Sequence, residues 1–392
     1  MKSQDFRFYN PVKLISGNQA LDSLTYELSQ MQCLRPLMVT DQGLLKAGLI
    51  DRVNESLEKS DNLTTFLYDR VPPDSSPAIV SEAAGVFREH ECDSIIAVGG
   101  GSVIDTAKAV NIVVSEGAVD ILALKGSRLR KPMKPFIAIP TTAGTGSEVT
   151  YAAMIRDPGL NEKVIFASYQ LIPDVAILDP RMTVTLPPLV TAATAMDAMS
   201  HAMEACISNH RNPFSDAHGF FAIQLIRENL LQVIDDGEDI QGRFYLANAA
   251  CMAGAAFSNS GVGIIHALGH ALGGECGVAH GVAMNIFLPH GLEYNMSEVK
   301  DIIGELLLPL AGPDVYVQTP KETRAEKTVE CIRGFQDQLY KHTKLSRTLS
   351  QADVKKNALE AVAQKAIKDA AVHFNPKKIT YEDALALLEK AF

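Results

Sequence analysis

The chain has 392 residues, 47% hydrophobic and 21% charged, which is enough for two ordinary domains and too apolar for disorder. Its formal net charge of −10, with no offsetting basic cluster, argues against a nucleic-acid partner. Six cysteines (33, 92, 206, 251, 276 and 331) form neither a CxxC pair nor a disulfide framework, and MKSQDFRFYN lacks the apolar core of a secretory signal, so reduced thiols in a cytoplasm are expected.

In chain order, FRFYNPVKLISG reads as an edge hairpin. Five β-rich runs follow: PLMVT ending at Thr40, TTFLY at Tyr68, SIIAV at Val98, FIAI at Ile139 and VAILD at Asp179. Amphipathic stretches such as DRVNESLEKS and AIVSEAAGVFREH lie between them. Apolar strands spaced by helices predict a Rossmann-like, mostly parallel sheet with helices on both faces. After Pro187 and Pro188 the period becomes helical, in VTAATAMDAMSHAMEACIS, DAHGFFAIQLIRENLLQVI, FYLANAACMAGAAF, KNALEAVAQKAIKDAAV and YEDALALLEKAF, and no convincing strand appears. The uncharged stretch from Cys251 to Gly274 is too rich in glycine, serine and histidine for a membrane span and reads as a buried helix pair. The expected fold is an α/β N-terminal domain over residues 1–185 and an all-α C-terminal domain over residues 186–392. A cleft between them is the expected place for a small-molecule site.

In the first half, SIIAVGGGSVIDTAKAV has the order strand, glycine turn, helix. Gly100, Gly101 and Ser102 would let the backbone approach a pyrophosphate at a helix N-terminus, although many α/β proteins use such a turn merely to turn. The spacing is not GxGxxG. In FIAIPTTAGTGSEVT, Thr141, Thr142 and Thr145 crowd small donors between Gly144 and Gly146, suited to a ribose, phosphate or amide; the alternative is an ordinary turn in which Thr145 or Ser147 caps a helix. Asp41 ends a strand, where a carboxylate accepts adenosine ribose hydroxyls and repels a 2′-phosphate, favouring NAD over NADP. It also suits an N-cap, and the two roles can coexist.

The second half carries the stronger signal. Asp197 and His201 sit four apart in an apolar helix, His266 and His270 repeat the spacing, and His280 follows a glycine-containing loop. One buried histidine is more often a hydrogen-bonded core residue than a ligand. Two such pairs in apolar surroundings point instead to a divalent ion held by Asp197, His201, His266 and His280, with Fe²⁺, Zn²⁺, Mn²⁺, Co²⁺ and Ni²⁺ all fitting one oxygen and three nitrogens. Cys276 reads as a bystander and His290 as a helix-end or supporting residue.

GGGSVIDTAKA, PTTAGTGSEVT, DAMSHAMEA and HALGHALGG…HGVAMNIFLPH resemble the iron-containing (group III) alcohol dehydrogenases, the family of lactaldehyde reductase, propanediol dehydrogenase and butanol dehydrogenases. The resemblance covers nearly the whole chain and is most specific over residues 94–295. It implies a dehydroquinate synthase-like architecture with NAD(P) and a metal, Fe²⁺ foremost, and a homodimer or an assembly of dimers. It places the metal ligands on the same four residues. Cofactor contacts fall on Asp41, the Gly99–Ser102 turn (Gly99, Gly100, Gly101, Ser102), Asp105, Thr141, Thr142, Thr145 and Lys163. An additional active-site histidine matches His270, and a substrate-pocket aromatic matches Phe257. The chain departs from the family pattern at Ala279, where proline is usual, at Ala195, where glycine is common, and at Asp74, where many members have asparagine.

The expected reaction is reversible hydride transfer between nicotinamide C4 and an alcohol carbon, with the metal as Lewis acid and His270 as proton relay. Residues 182–210 and 244–299 contain no lysine or arginine, so a small, neutral primary alcohol or aldehyde is expected rather than a carboxylated or phosphorylated substrate, provided that neither Arg156 nor Lys163 points into the site. The rivals are a glycerol dehydrogenase-like enzyme, a hydroxyacid–oxoacid transhydrogenase, a dehydroquinate synthase-like lyase and a non-catalytic metal- or nucleotide-binding protein.

Overall fold

A computed structural model describes residues 5–60, 62–157, 159 and 162–392. The chain forms two compact units, Asn10–Thr185 and Leu186–Phe392, with the described residues before Asn10 belonging to the second.

The first unit holds β1 (Lys13–Ser16), β2 (Pro36–Val39), β3 (Phe66–Tyr68), β4 (Ser94–Gly99), β5 (Phe136–Pro140), β6 (Ala152–Asp157), β7 (Glu162–Ala167) and β8 (Val175–Leu178). Six of them make one sheet in the order β1-β8-β5-β4-β2-β3, with every neighbouring pair parallel. The central strands are apolar throughout because both faces are covered. Ile95, Ala97 and Phe136 face a core with Val80, Phe87, Ile104 and Val110, while Ile96, Val98 and Ile137 face another with Leu24, Leu28, Val53 and Ile177. Parallel order and helices on both faces agree with the sequence reading.

Two details do not. FRFYNPVKLISG is not a hairpin: Lys13–Ser16 is a single edge strand parallel to β8. The aromatic residues before it are used elsewhere, with Phe6 and Phe8 packing on Phe214 at 5.9 and 5.4 Å between ring centres and the Tyr9 N–H donating to Asn259 at 2.7 Å. Residues 5–9 therefore leave the domain expected over residues 1–185 and pack with the helical unit; Met1–Gln4 lie outside the described residues. The antiparallel pair β6–β7 had no counterpart in the sequence reading, because its alternating buried positions (Ala153, Ile155, Val164, Phe166) are interrupted by charges that resemble loop composition.

The second unit is helical, with no strand among its described residues. Its longer helices are Pro188–Ile207, Pro213–Asp235, Ile240–Ser260, Ile264–Cys276, His280–Glu305 and Arg324–Thr343. The stretch expected as one helix over KNALEAVAQKAIKDAAV instead forms Leu359–Ala366 and a short 3-10 turn, Ala370–His373, because the Asp369 carboxylate accepts the Ala371 N–H at 2.8 Å and caps the second piece. No single described helix is long and apolar enough to cross a membrane. Ile240–Ser260 and Ile264–Cys276 are bent by 104° about a break containing Gly261, at φ 82°, and are largely buried, as expected for a core pair.

Close helix approach depends on missing side chains. A β-carbon on Gly281 would lie 2.3 Å from the Ala193 carbonyl oxygen, and one on Gly219 would lie 2.6 Å from Cys206 Sγ and 2.9 Å from the Ala202 carbonyl oxygen. Gly85, in the Pro77–Glu89 helix, faces open space. Gly281→Ala is therefore expected to cost about 1–3 kcal/mol through overpacking. Gly85→Ala should gain about 0.5–1 kcal/mol from helix propensity. Urea unfolding of both variants checks the opposite signs.

Candidate functional site

Three helices of the second unit bring four donors together. Asp197 and His201 share one face of Pro188–Ile207, His266 lies in the first turn of Ile264–Cys276, and His280 opens His280–Glu305. One ligand atom from each lies within 4.8 Å of all the others. Asp197 Oδ1 stands 3.3 Å from His280 Nε2, 3.7 Å from His266 Nε2 and 3.9 Å from His201 Nε2. An ion bound tetrahedrally at ~2.0–2.1 Å needs ligand atoms ~3.4 Å apart, which these spacings approach. Asp197 Oδ1 and His266 Nε2 are buried without a hydrogen-bond partner, so two lone-pair positions aim at one small volume. The residues fit a divalent ion. Ala279 holds φ −58° and ψ 136°, angles that proline would also adopt, so His280 is presented without the family's usual proline.

The electrostatics say the same. Burial works against ionised Asp197, yet the neighbouring imidazoles of His201, His280 and His266 hold its pKa well below the ordinary carboxylate value. Burial drives His201 down to about 3 and also lowers His280. Burial likewise opposes charge on His266, but Asp197 and Glu204 on its two ring nitrogens raise it to about 9. A buried carboxylate among imidazoles that burial disfavours charging is a need that a divalent cation meets.

Residues outside the ligand set hold it in place. Glu204 Oε2 lies 2.6 Å from His266 Nδ1, and its Oε1 accepts the Ile265 N–H at 2.8 Å, so one buried carboxylate orients the imidazole and caps its helix. Asn375 Oδ1 accepts the Ile264 N–H at 3.1 Å and completes that helix start. His270, one turn beyond His266, pairs its Nδ1 with Asp369 Oδ2 at 2.9 Å and stacks on His280 with ring centres 5.4 Å apart. Phe257 stacks on His201 at 4.2 Å and forms an apolar wall beside a ligand. Cys276 is outside the four-residue cluster. His290 is not at a helix end: it lies within His280–Glu305, where burial and the Arg333 charge lower it to about 4.

Sequence reading missed Glu204, Asn375 and Asp369. Glu204 was within reach, being seven residues after Asp197 and three after His201 on the same apolar helix. Asp369 and Asn375 were not, because they arrive from 99 and 111 residues beyond their partners.

In the first unit, the turn after β4 leads straight into the Gly101–Glu116 helix, whose N-terminus has no side-chain cap. The N–H groups of Val103 and Ile104 bond to the Gly100 carbonyl, which leaves the two before them, at Gly101 and Ser102, as the candidates to meet a phosphate. A β-carbon on Gly101 would lie 2.7 Å from Thr145 and one on Gly100 would lie 3.3 Å from Thr142, so the glycines let the two loops close on each other. The Thr141 N–H donates to the Gly99 carbonyl at 3.1 Å. Asp41 Oδ1 accepts the N–H groups of Gly43 and Leu44 at 2.8 and 3.0 Å, the capping alternative, which leaves Oδ2 for another donor. Asp105 turns inward, accepting from Ser147 Oγ at 2.5 Å and the Met154 N–H at 3.0 Å, which makes it a brace of the threonine loop. Lys163 Nζ pairs with Asp74 Oδ1 at 2.6 Å.

Beneath this loop Lys108 is 0% exposed and donates to Thr150 O (2.8 Å), Thr150 Oγ1 (3.1 Å), Ala152 O (2.8 Å) and Ser147 Oγ (3.3 Å). Burial lowers its pKa to about 8 and raises that of neighbouring Glu148 to about 7. Because Glu148 binds its proton more tightly folded than unfolded, its contribution is fully present below about 4.5 and is lost as pH rises through about 7. Glu148→Gln removes this titration, so the variant should be more stable than the parent at pH 8 and should lose that advantage towards pH 4.5, as thermal unfolding across that range would show.

Comparison with known proteins agrees with both halves. The family described as iron-containing alcohol dehydrogenase matches residues 11–180, and the C-terminal domain of the Fe-containing alcohol dehydrogenase family matches residues 191–392. The chain is 31% identical to the NAD-dependent methanol dehydrogenase of Bacillus methanolicus over 98% of this chain and 99% of that one. It is 34% identical to alcohol dehydrogenase 4 of Saccharomyces cerevisiae over 98% of each. The crystal structure of a 1,3-propanediol oxidoreductase superposes with a TM-score of 0.94 at 32% identity, covering 99% of this chain and 100% of the other. With its parallel nucleotide-type sheet, its helical unit and its one-carboxylate, three-imidazole cluster, the chain belongs to the iron-containing alcohol dehydrogenase family.

Proposed function

We propose that the chain catalyses reversible, NAD-linked oxidation of a small neutral primary alcohol to its aldehyde, with a divalent ion, Fe²⁺ first and Zn²⁺ or another as substitutes, held by Asp197, His201, His266 and His280. The four-donor cluster with its unpartnered Asp197 Oδ1 carries this reading. When bound there, such an ion supplies Lewis acidity that eases loss of a hydroxyl proton.

The chain's own residues do the rest. With Nδ1 engaged by Asp369, His270 keeps Nε2 as the nitrogen that exchanges a proton with substrate or solvent. Phe257 gives an apolar surface against an alkyl tail. Lys163 is paired with Asp74, which supports an uncharged substrate. The unit Asn10–Thr185 would bind the dinucleotide through Gly99–Ser102, Thr141, Thr142 and Thr145, with Asp41 Oδ2 taking ribose hydroxyls and disfavouring NADP. The NAD dependence named for the Bacillus methanolicus relative supports the same cofactor. All six cysteines are free thiols, in keeping with a cytoplasmic location, and the family resemblance supports a homodimer.

His201→Ala and His266→Ala should each lower metal affinity by more than about 100-fold, since loss of a supporting residue alone costs about 10–100-fold. Metal retained after gel filtration and NADH oxidation with short aldehydes should fall together, and full activity in either variant would refute the assignment. Against a panel, short primary alcohols should exceed 2-hydroxy acids in kcat/KM by at least about 100-fold, the discrimination expected where no cation meets a carboxylate.

A further inference from the structure

We infer that Asp74 is an affinity-setting residue for the dinucleotide, holding the Lys163 ammonium away from the cofactor phosphates and placing a carboxylate beside their turn. This rests on the reading that the phosphates sit at Gly100–Ser102. The Asp74 N–H faces Ser102 Oγ at 3.4 Å, so the residue borders the first turn of Gly101–Glu116. The next residue is fixed as well, since the Ser75 carbonyl accepts the Arg156 N–H at 2.8 Å, and Arg156 lies opposite Lys163 in the β6–β7 register. The hairpin thus delivers Lys163 to Asp74, where the ion pair closes at 2.6 Å.

A lysine beside a phosphate-binding helix start would ordinarily add positive charge to that start. Here a carboxylate takes that charge, and the carboxylate itself repels an incoming pyrophosphate. Neither side chain is buried, at 47% exposure for Asp74 and 27% for Lys163, so the pair is screened by salt and open to exchange when a phosphate arrives. Asp74 has φ 54°, a left-handed conformation that asparagine adopts as readily as aspartate, so Asp74→Asn removes the charge and leaves the backbone in place.

The test uses the metal-loaded protein and fluorescence titration with NADH, and titration with ADP-ribose, which carries the same pyrophosphate without nicotinamide. Asp74→Asn should bind both ligands about 3- to 10-fold more tightly at 50 mM salt, with the gain shrinking below about 2-fold at 0.5 M. Lys163→Gln should weaken NADH binding more in the Asp74→Asn background than in the parent, because the ammonium is then free for phosphate. Unchanged or weaker binding by Asp74→Asn, with normal NADH binding by the parent, overturns the inference alone. A gain for NADH that ADP-ribose does not share also overturns it, by moving the effect off the phosphates. Failure of the metal-loaded parent to bind NADH removes the cofactor reading and this inference with it.

Discussion

A carboxylate buried among helices has to meet positive charge, and Asp197 imposes that requirement on the second unit. It is 2% exposed, and Oδ1 has no hydrogen-bond donor of its own. Leaving such an oxygen uncompensated in a low-dielectric interior is costly, and three imidazoles converge on it from three helices. Their arrangement depends on the helices approaching closely, which the glycines at 269 and 281 allow: a β-carbon at 269 would lie 1.9 Å from Met284. It depends also on Glu204, which fixes the His266 ring and the start of its helix together.

The first unit solves a different problem with the same physics. Its candidate cofactor loop is made largely of small residues, glycines and threonines, and is mostly buried. Stiffness comes from beneath, where the Lys108 ammonium gathers acceptors on the 147–152 segment and Asp105 accepts from Ser147 and Met154. A buried charge is tolerated here because each of its hydrogens finds an acceptor. Asp105 and Lys108 lie three residues apart on one helix, so that helix carries both the N–H groups proposed to meet a phosphate and the braces of the opposing loop.

The polar residues nearest the metal cluster are not interchangeable in function. Asp369 engages one nitrogen of His270, whereas Glu204 engages one nitrogen of His266, whose other nitrogen faces Asp197 in the four-residue cluster. The same carboxylate–imidazole pairing therefore serves the proton relay proposed for His270 in one place and the proposed metal ligand in the other. What differs is only whether the second nitrogen points into the ligand cluster.

The sequence by itself determined the parallel sheet, the helical second half and the four residues that the fold gathers into one buried cluster, because these rest on local patterns: period two or continuous apolar runs in strands, and i, i+4 spacing in helices. It could also have yielded Glu204, which obeys the same spacing. Only the tertiary structure decided the features that join distant segments: that Phe6 and Phe8 pack on Phe214, that Asp369 meets His270, that Asn375 completes a helix start, and that Lys163 is paired with Asp74. Such partners share no sequence period. They are chosen by which surfaces the packed helices and strands leave facing one another, and a buried donor or ion pair takes whatever acceptor that packing presents.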